Sequence, residues 1–309
     1  MAIGQSIPII YLRPYLNPSA TPAEQAKVIE QVAHACCTYG FLQIKGHGIP
    51  LESQRAVIEA SKALYDLPQD QKDSLSLKKS PARRGYERLG EQALDNDALA
   101  DVKEGYYVGR EVPAEQAGFL RGPNQWPNLP NNIFRTPVET YHRQAIDLGK
   151  KLLEILTIGL GHDIAVLKTF TKDPVANLKL LHYPPHTSED PKQFGAGAHT
   201  DFGTLTILLQ QPGKDGLQVH YGGEWISVPA LEDVLVVNMG DLIHDWTEGK
   251  YNSTLHRVIN VSGDERYSVP CFYQGDLSGT NPFRPEDKSG ETVEQHIRKK
   301  FEKSYALAK

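Results

Sequence analysis

His199 and Asp201, two residues apart, and His256 further along the chain are the residues best suited to do chemistry. Imidazole nitrogens and carboxylate oxygens bind divalent metals. Two imidazoles and one carboxylate are the ligand set that holds non-haem Fe(II) on one face and leaves about three cis positions open. Zinc would accept the same donors. On an extended strand, residues i and i+2 point to the same side. His199 and Asp201 could therefore reach one ion, with the third ligand supplied by another strand. A lone His-x-Asp is common by chance, and His182, His186, His220 and His244 compete as ligands. His244 competes most closely because it shares a segment with His256, although it follows the Gly240-Asp241 turn. His47, in Gly46-His47-Gly48, reads as a turn residue.

A second pair repeats the i, i+2 spacing. Arg266 and Ser268 share one face of a strand-like run. A planar guanidinium grips a carboxylate with two parallel hydrogen bonds, and a serine hydroxyl can add one more. Ten residues from His256 to Arg266 suggest one strand, a turn and the return, which would put this clamp behind the metal.

These side chains need a scaffold. Thr21-Pro22-Ala23-Glu24 is a capping box with proline at the first helical position, predicting a helix to about Tyr39 that Gly40 ends. Phe41–Ile44 alternates like a strand. Helical patterns return over Leu51–Leu64 and Gln69–Leu75. Ser80 to Gln116 is long, polar and without strong period, as a binding wall or surface loop would be. Thr136-Pro137-Val138-Glu139 repeats the capping box and predicts a long helix ending near Gly159, with Leu148, Leu152, Ile155 and Leu156 on its apolar stripe. From Leu178 the texture changes to short strands between Gly/Pro turns: 178–183, 204–210, 217–220, 224–228, 234–238, 255–261 and 267–273. Seven short strands so punctuated suggest a sandwich or barrel. A last helix is predicted over Glu291–Tyr305. The plan is a helical or mixed region over 1–120 packed on a β-rich region over 121–309, one integrated unit.

The 309 residues are 39% hydrophobic and 23% charged, ordinary for a soluble domain with a large core. A net charge of −5 argues against a nucleic-acid partner held by phosphate neutralisation. No stretch approaches a membrane span, and Met1 to Ile10 lacks the pattern of a secretory signal. Cys36, Cys37 and Cys271 cannot build a disulfide framework, and the adjacent pair reads as small buried hydrophobes. The expected setting is the reducing cytoplasm.

The ordered set of short motifs is more specific than any one of them. Ile7–Ile10, Gly40-Phe41, Gly46–Ile49, Tyr183-Pro184-Pro185, Ala198–Asp201, Gly216–Val219, Trp225–Pro229, Asn238–Asp241, Ser253–Val258 and Arg266–Ser268 run along nearly the whole chain. In that order they resemble the isopenicillin N synthase-like branch of the Fe(II)/2-oxoglutarate-dependent oxygenases. Asp101–Gly105 is similar to a segment of that family's microbial members. Leu181 and His186 depart from the asparagine and cysteine the family often carries there.

The resemblance implies an α+β fold, a distorted double-stranded β-helix (jelly-roll) core with flanking α-helices. It implies Fe(II) on His199, Asp201 and His256, and the 2-oxoglutarate carboxylate on Arg266 and Ser268 with Tyr183 as a third contact. The implied reaction consumes O₂ and 2-oxoglutarate, releases succinate and CO₂, and oxidises a small organic molecule, with ascorbate as a reductant in some settings. Hydroxylation, desaturation and ring rearrangement are all open outcomes. Some relatives are oxidases that use no 2-oxoglutarate yet keep the Arg-x-Ser pair, and a metal-silent small-molecule receptor is the non-enzyme alternative. The expected substrate wall is Phe202, Phe272, Tyr106 and Arg84, from strand adjacency and the irregular loop. Its aromatic and basic character suits a planar or acidic small molecule.

Overall fold

The computed structural model describes residues 6–92, 99–185, 190, 192–259, 263–284, 286 and 290–306. In chain order the strands and helices are β1 (Ile9–Tyr11), α1 (Arg13–Leu16), α2 (Pro22–Thr38), β2 (Phe41–Lys45), α3 (Leu51–Tyr65), α4 (Gln69–Ser74), β3 (Gly85–Glu87), β4 (Glu104–Val108), α5 (Arg135–Gly159), β5 (Val175–Tyr183), β6 (Ala196–His199), β7 (Leu205–Gln210), β8 (Leu217–Tyr221), β9 (Glu224–Ser227), β10 (Val234–Met239), α6 (Asp241–Trp246), β11 (His256–Val258), β12 (Arg266–Gly275) and α7 (Val293–Ala306).

The strands form two facing sheets. The major sheet has eight strands in the order β1-β2-β10-β7-β12-β5-β4-β3, and the minor sheet four, β6-β11-β8-β9. Among these only β1 and β2 pair in parallel. This is the jelly-roll core with flanking helices that the resemblance implies. The major sheet mixes the two halves of the chain, with β2 from the N-terminal region lying beside β10.

The major sheet is covered on both faces, so its strands read as nearly continuous apolar runs. On one face Leu178, Leu180, Val269, Cys271 and Tyr273 pack with α2, α3 and α5 in the larger core. On the other, Leu181, Tyr183 and Val236 meet Val219, Val228 and Val258 of the minor sheet. Strand alternation sorts every residue between these two destinations. In β5 the odd-numbered residues Asn177, Lys179, Leu181 and Tyr183 line the inter-sheet cavity, while in β12 the even-numbered Arg266, Ser268, Pro270 and Phe272 do.

The Thr21 capping box forms as predicted, with the Thr21 hydroxyl accepting from the Glu24 amide and the Glu24 carboxylate accepting from the Thr21 amide. Thr292 and Gln295 make the matching exchange ahead of α7. The second predicted box does not form. The helix begins at Arg135, with Phe134 at its N-cap and no side-chain cap. The Pro130–Phe134 turn, in which Phe134 N–H donates to Pro130 O, already supplies a helical entry. Thr136 is therefore inside the helix, donating its N–H to Asn131 O.

The polar stretch from Ser80 is not one loop, because β3 and β4 extend the major sheet there. Residues 93–98, within that stretch, and the end of the predicted 255–261 strand lie outside the described residues. Of the adjacent cysteines only Cys36 is buried, and Cys37 is exposed. No helix among the described residues is long and apolar enough to cross a membrane.

A buried histidine in α5 makes stability depend on pH. His142 Nε2 lies 2.8 Å from Ala176 O, to which the neutral ring donates. Burial lowers its pKa to about 4. Between that value and the ordinary one near 6.5 the unfolded chain binds the extra proton and the folded chain does not. Stability therefore falls as pH drops through this window. Urea unfolding at pH 4.5 against pH 7 is expected to show wild type losing about 2–3 kcal/mol more than His142→Gln, which keeps a donor and does not titrate. Equal losses would contradict this.

Candidate active site

His199 ends β6 and His256 begins β11, and the two are paired directly across the minor sheet. Their ring centroids are 4.3 Å apart. The His199 Nδ1 is 2.7 Å from Gly197 O and the His256 Nδ1 is 3.1 Å from Thr254 O. A carbonyl can only accept, so each Nδ1 carries the proton and each Nε2 presents a lone pair. Both Nε2 atoms lie 3.9 Å from Asp201 Oδ1. The three donors all fall within 4.8 Å of one another, the spacing of groups that share one ion.

Asp201 is not on the same strand as His199. Strand β6 stops at His199, and the chain then crosses from the minor to the major sheet. The expectation of two ligands on one strand face is corrected accordingly: Asp201 sits at the crossing. Its carboxylate is aimed by the major sheet. Oδ2 accepts from Thr206 Oγ1 at 2.6 Å and from Asn238 Nδ2 at 2.7 Å, which leaves Oδ1 for a metal. Its backbone carbonyl accepts from the Asp241 amide at 2.7 Å. Gly240 permits this approach, since a Cβ there would stand 2.1 Å from Gly203 O.

Burial raises the Asp201 carboxyl, but the two imidazoles and the Asn238 and Thr206 bonds outweigh it and hold the group below its ordinary value. Burial, joined by His256, lowers His199 to about 3 against the pull of Asp201. An ionised carboxylate beside the neutral His199 imidazole suits metal binding, which needs deprotonated ligands. Neither Asn238 nor Thr206 is marked by spacing. Asn238→Ala is expected to weaken Fe(II) binding about 10–100-fold, the range for partners that orient a ligand. Metal titration of the variant checks this, and unchanged affinity would refute it.

Arg266 and Ser268 share the cavity face of β12, as their spacing predicts. They are not a return of the His256 strand. Strands β11 and β12 lie in different sheets, β11 beside β6 and β8, β12 beside β5 and β7. The clamp therefore sits on the sheet opposite the two histidines. Arg266 is fully buried. Its Nε donates to Lys214 O at 3.1 Å, its Nη2 to Gln210 Oε1 at 3.0 Å, and its guanidinium lies 4.8 Å from the Tyr183 ring centroid. Its Nη1 is buried without a protein partner. Burial lowers the guanidinium below its ordinary value, with Tyr183 and Asp215 opposing. A buried cation with one unsatisfied donor, beside the Ser268 hydroxyl, fits a carboxylate ligand.

The other histidines are occupied elsewhere. His182 Nδ1 is 2.7 Å from Glu104 Oε1 on the helix side of β5, and His244 Nδ1 is 2.9 Å from Tyr251 O in α6. His220 packs on Trp225, and His47 is a turn residue whose Nδ1 accepts from Ile49 N–H. His186 lies outside the described residues.

Two family models match the chain: "non-haem dioxygenase in morphine synthesis N-terminal" over residues 7–129 and "2OG-Fe(II) oxygenase superfamily" over residues 174–275. The chain is 51% identical over 304 residues to the 2-oxoglutarate-dependent dioxygenase caaD of Aspergillus niger, covering 97% of this chain and 94% of that one. This chain belongs to the Fe(II)/2-oxoglutarate-dependent oxygenase family. The oxygenase is also 50% identical over 308 residues to the 2-oxoglutarate-dependent dioxygenase traH of Penicillium crustosum, covering 97% and 94%. Among solved structures it resembles a full-length Neurospora crassa protein crystallised in complex with alpha-KG, with a TM-score of 0.85 at 25% identity over 99% of this chain and 98% of that one. It is thus an Fe(II)- and 2-oxoglutarate-dependent oxygenase that oxidises a small organic molecule.

The oxygenase's cavity takes in His199, Asp201 and His256, Arg266 and Ser268, and Tyr183, Phe202 and Phe272. The other two expected wall residues are placed elsewhere. Tyr106 faces the helix side of β4, fully buried with its ring 5.7 Å from Phe134. Arg84 is buried, donating to Asn177 Oδ1 at 2.8 Å and Leu120 O at 2.7 Å. Their neighbours Tyr107 and Arg83 line the cavity instead. Each expectation missed by one residue: on β4 one residue reverses the face, while Arg83 and Arg84 precede β3 at a turn in which Arg83 has φ 54°. The C-terminal helix α7 adds Ile297 and Phe301 to the wall, which no motif had marked.

Proposed function

We propose that His199 Nε2, Asp201 Oδ1 and His256 Nε2 hold the Fe(II) of this oxygenase. In the same reading Arg266 and Ser268 hold the distal carboxylate of 2-oxoglutarate, with Tyr183 against the guanidinium. The observation that carries it is the buried, unpartnered Nη1 of Arg266 in the same cavity as a three-donor cluster whose spacing and tautomers suit a metal. Bound Fe(II), 2-oxoglutarate and O₂ supply the oxidising power, with succinate and CO₂ as co-products. The chain's own groups do the positioning. Thr206 and Asn238 aim Asp201, Gln210 and the Lys214 carbonyl hold Arg266 in one orientation, and Phe202 and Phe272 form a dry wall for the substrate. The net charge of −5 argues against a nucleic-acid partner held by phosphate neutralisation, and in this reading the enzyme works on small molecules in the cytoplasm without a membrane partner.

Anaerobic titration with Fe(II) and 2-oxoglutarate tests the assignment. A metal-to-ligand charge-transfer band is expected, and turnover should release succinate. Turnover undiminished without 2-oxoglutarate would instead favour the oxidase alternative.

A further inference from the structure

The cavity wall made by β4 and β5 contains two buried lysines. Lys179 projects from β5 across Gly105 of β4, where a Cβ would stand only 2.4 Å from Lys179 Cε and 3.3 Å from its Nζ. Its Nζ lies 2.6 Å from Glu87 Oε2, 3.3 Å from Gln92 Oε1 and 4.5 Å from the Tyr107 ring centroid. Lys103, just before β4, pairs with Asp101, whose other oxygen accepts from the Gly197 amide of β6 at 2.8 Å. The two lysine side chains are 3% and 4% exposed. Burial lowers the Lys103 ammonium, Asp101 opposes that, and the charge of Lys179 adds to the lowering, so the two cations feel each other.

The acids and bases are arranged asymmetrically. Lys103 and Lys179 line the cavity, whereas Glu87 and Asp101 do not. Glu87 pairs with Gly105 across β3 and β4, on the same face of the sheet as Lys179 but one strand further from the cavity. Asp201 goes to the metal and Arg266 to the co-substrate. The charged side chains left on the wall among the described residues are then Arg83, Lys103 and Lys179, all cationic. Apolar side chains of similar volume would fill the same space at equal or better stability. Buried ion pairs whose cationic members, and not their carboxylates, are among the residues lining a cavity therefore point to a ligand. The remaining wall is aromatic: Phe202 and Phe301 meet edge to face at 5.9 Å, with Phe272 beside the clamp on β12.

We propose that Lys179, supported by Lys103, is a specificity-determining docking point for an anionic oxygen carried by a planar substrate, such as a carboxylate or an ionised enol or phenol. The planar body lies against Phe202, Phe272 and Phe301. This rests on the cavity being the substrate site of an Fe(II)/2-oxoglutarate oxygenase. Gly105 belongs to the same device, because only a residue without a side chain lets Lys179 cross β4.

Calorimetric titration of the anaerobic Fe(II)- and 2-oxoglutarate-loaded enzyme with benzoate and with its neutral isostere benzamide tests this. Wild type is expected to bind benzoate about tenfold more tightly, the scale of one charge-assisted hydrogen bond. The preference should shrink to within about twofold in Lys179→Met/Glu87→Gln, which removes both charges and leaves no unpaired carboxylate. It should also shrink in Gly105→Ala, which keeps both charges and pushes the flexible end of Lys179 aside. Equal binding of the two probes, binding of neither, a preference unchanged in both variants, or loss of the charge-transfer band on adding benzoate would each overturn the docking role. A wild-type band that never forms before any probe is added overturns the metal and co-substrate assignment, and the docking role with it.

Discussion

Asp201→Ala is expected to abolish the Fe(II)–2-oxoglutarate charge-transfer band and coupled succinate release. The substitution removes the only carboxylate of the donor cluster. The two imidazoles remain paired across β6 and β11, so the site keeps its shape and loses a charged ligand. A neutral two-histidine site binds Fe(II) weakly and does not offset the metal's positive charge. The loss should exceed the roughly 10–100-fold expected of an orienting partner such as Asn238. Thr206 and Asn238 would be left facing one another without their shared acceptor, a modest cost in stability that circular dichroism and thermal melting can separate from the loss of metal. A folded Asp201→Ala protein that still gives the band would sink the metal assignment.

Arg266→Met should carry the second-largest effect, and on a different step. Methionine approximates the buried volume while removing the cation, so packing around β12 is largely kept. What disappears is the one cationic group placed on the clamp face with an unpartnered donor. Removing one partner of a buried, hydrogen-bonded charge pair costs about 2–5 kcal/mol, so 2-oxoglutarate affinity should fall about 30- to 3,000-fold. Fe(II) affinity should stay close to wild type, because the histidines sit on the other sheet. Arg266→Lys should recover only part of the loss. Lysine cannot bond Gln210 and the Lys214 carbonyl while also presenting a planar fork to the ligand. Separate titrations of metal and co-substrate check the pattern. Equal loss of both ligands would mean a general collapse of the site, not loss of a clamp.

These two residues show where reading the sequence works. The i, i+2 spacing put Arg266 and Ser268 on one side of a strand, and the fold keeps them there because alternation is a local property of extended backbone. The same rule paired His199 with Asp201, and the fold does bring them together, but not on one strand: the strand ends at His199 and the carboxylate is aimed from β7 and β10. Thr206 and Asn238 could not be found by spacing, because they meet Asp201 only after the sheets have closed. The Thr136 capping box shows the same limit at a helix end: the sequence signal is present, but the preceding turn already supplies the entry.

From the sequence alone come the family, the strand-rich C-terminal half and the five residues proposed for the metal and the co-substrate. Those features depend on residue type, local period and order along the chain. Tertiary structure alone decided which face of each strand looks into the cavity. Alternation says that Tyr106 and Tyr107 point opposite ways. Only the packing of the major sheet between helices on one side and the minor sheet on the other says which way is inward. That packing sends Tyr106 to the helices and Tyr107 to the inter-sheet cavity. It also turns Lys179, one residue among many in an apolar strand, into the cationic wall opposite the aromatic side chains.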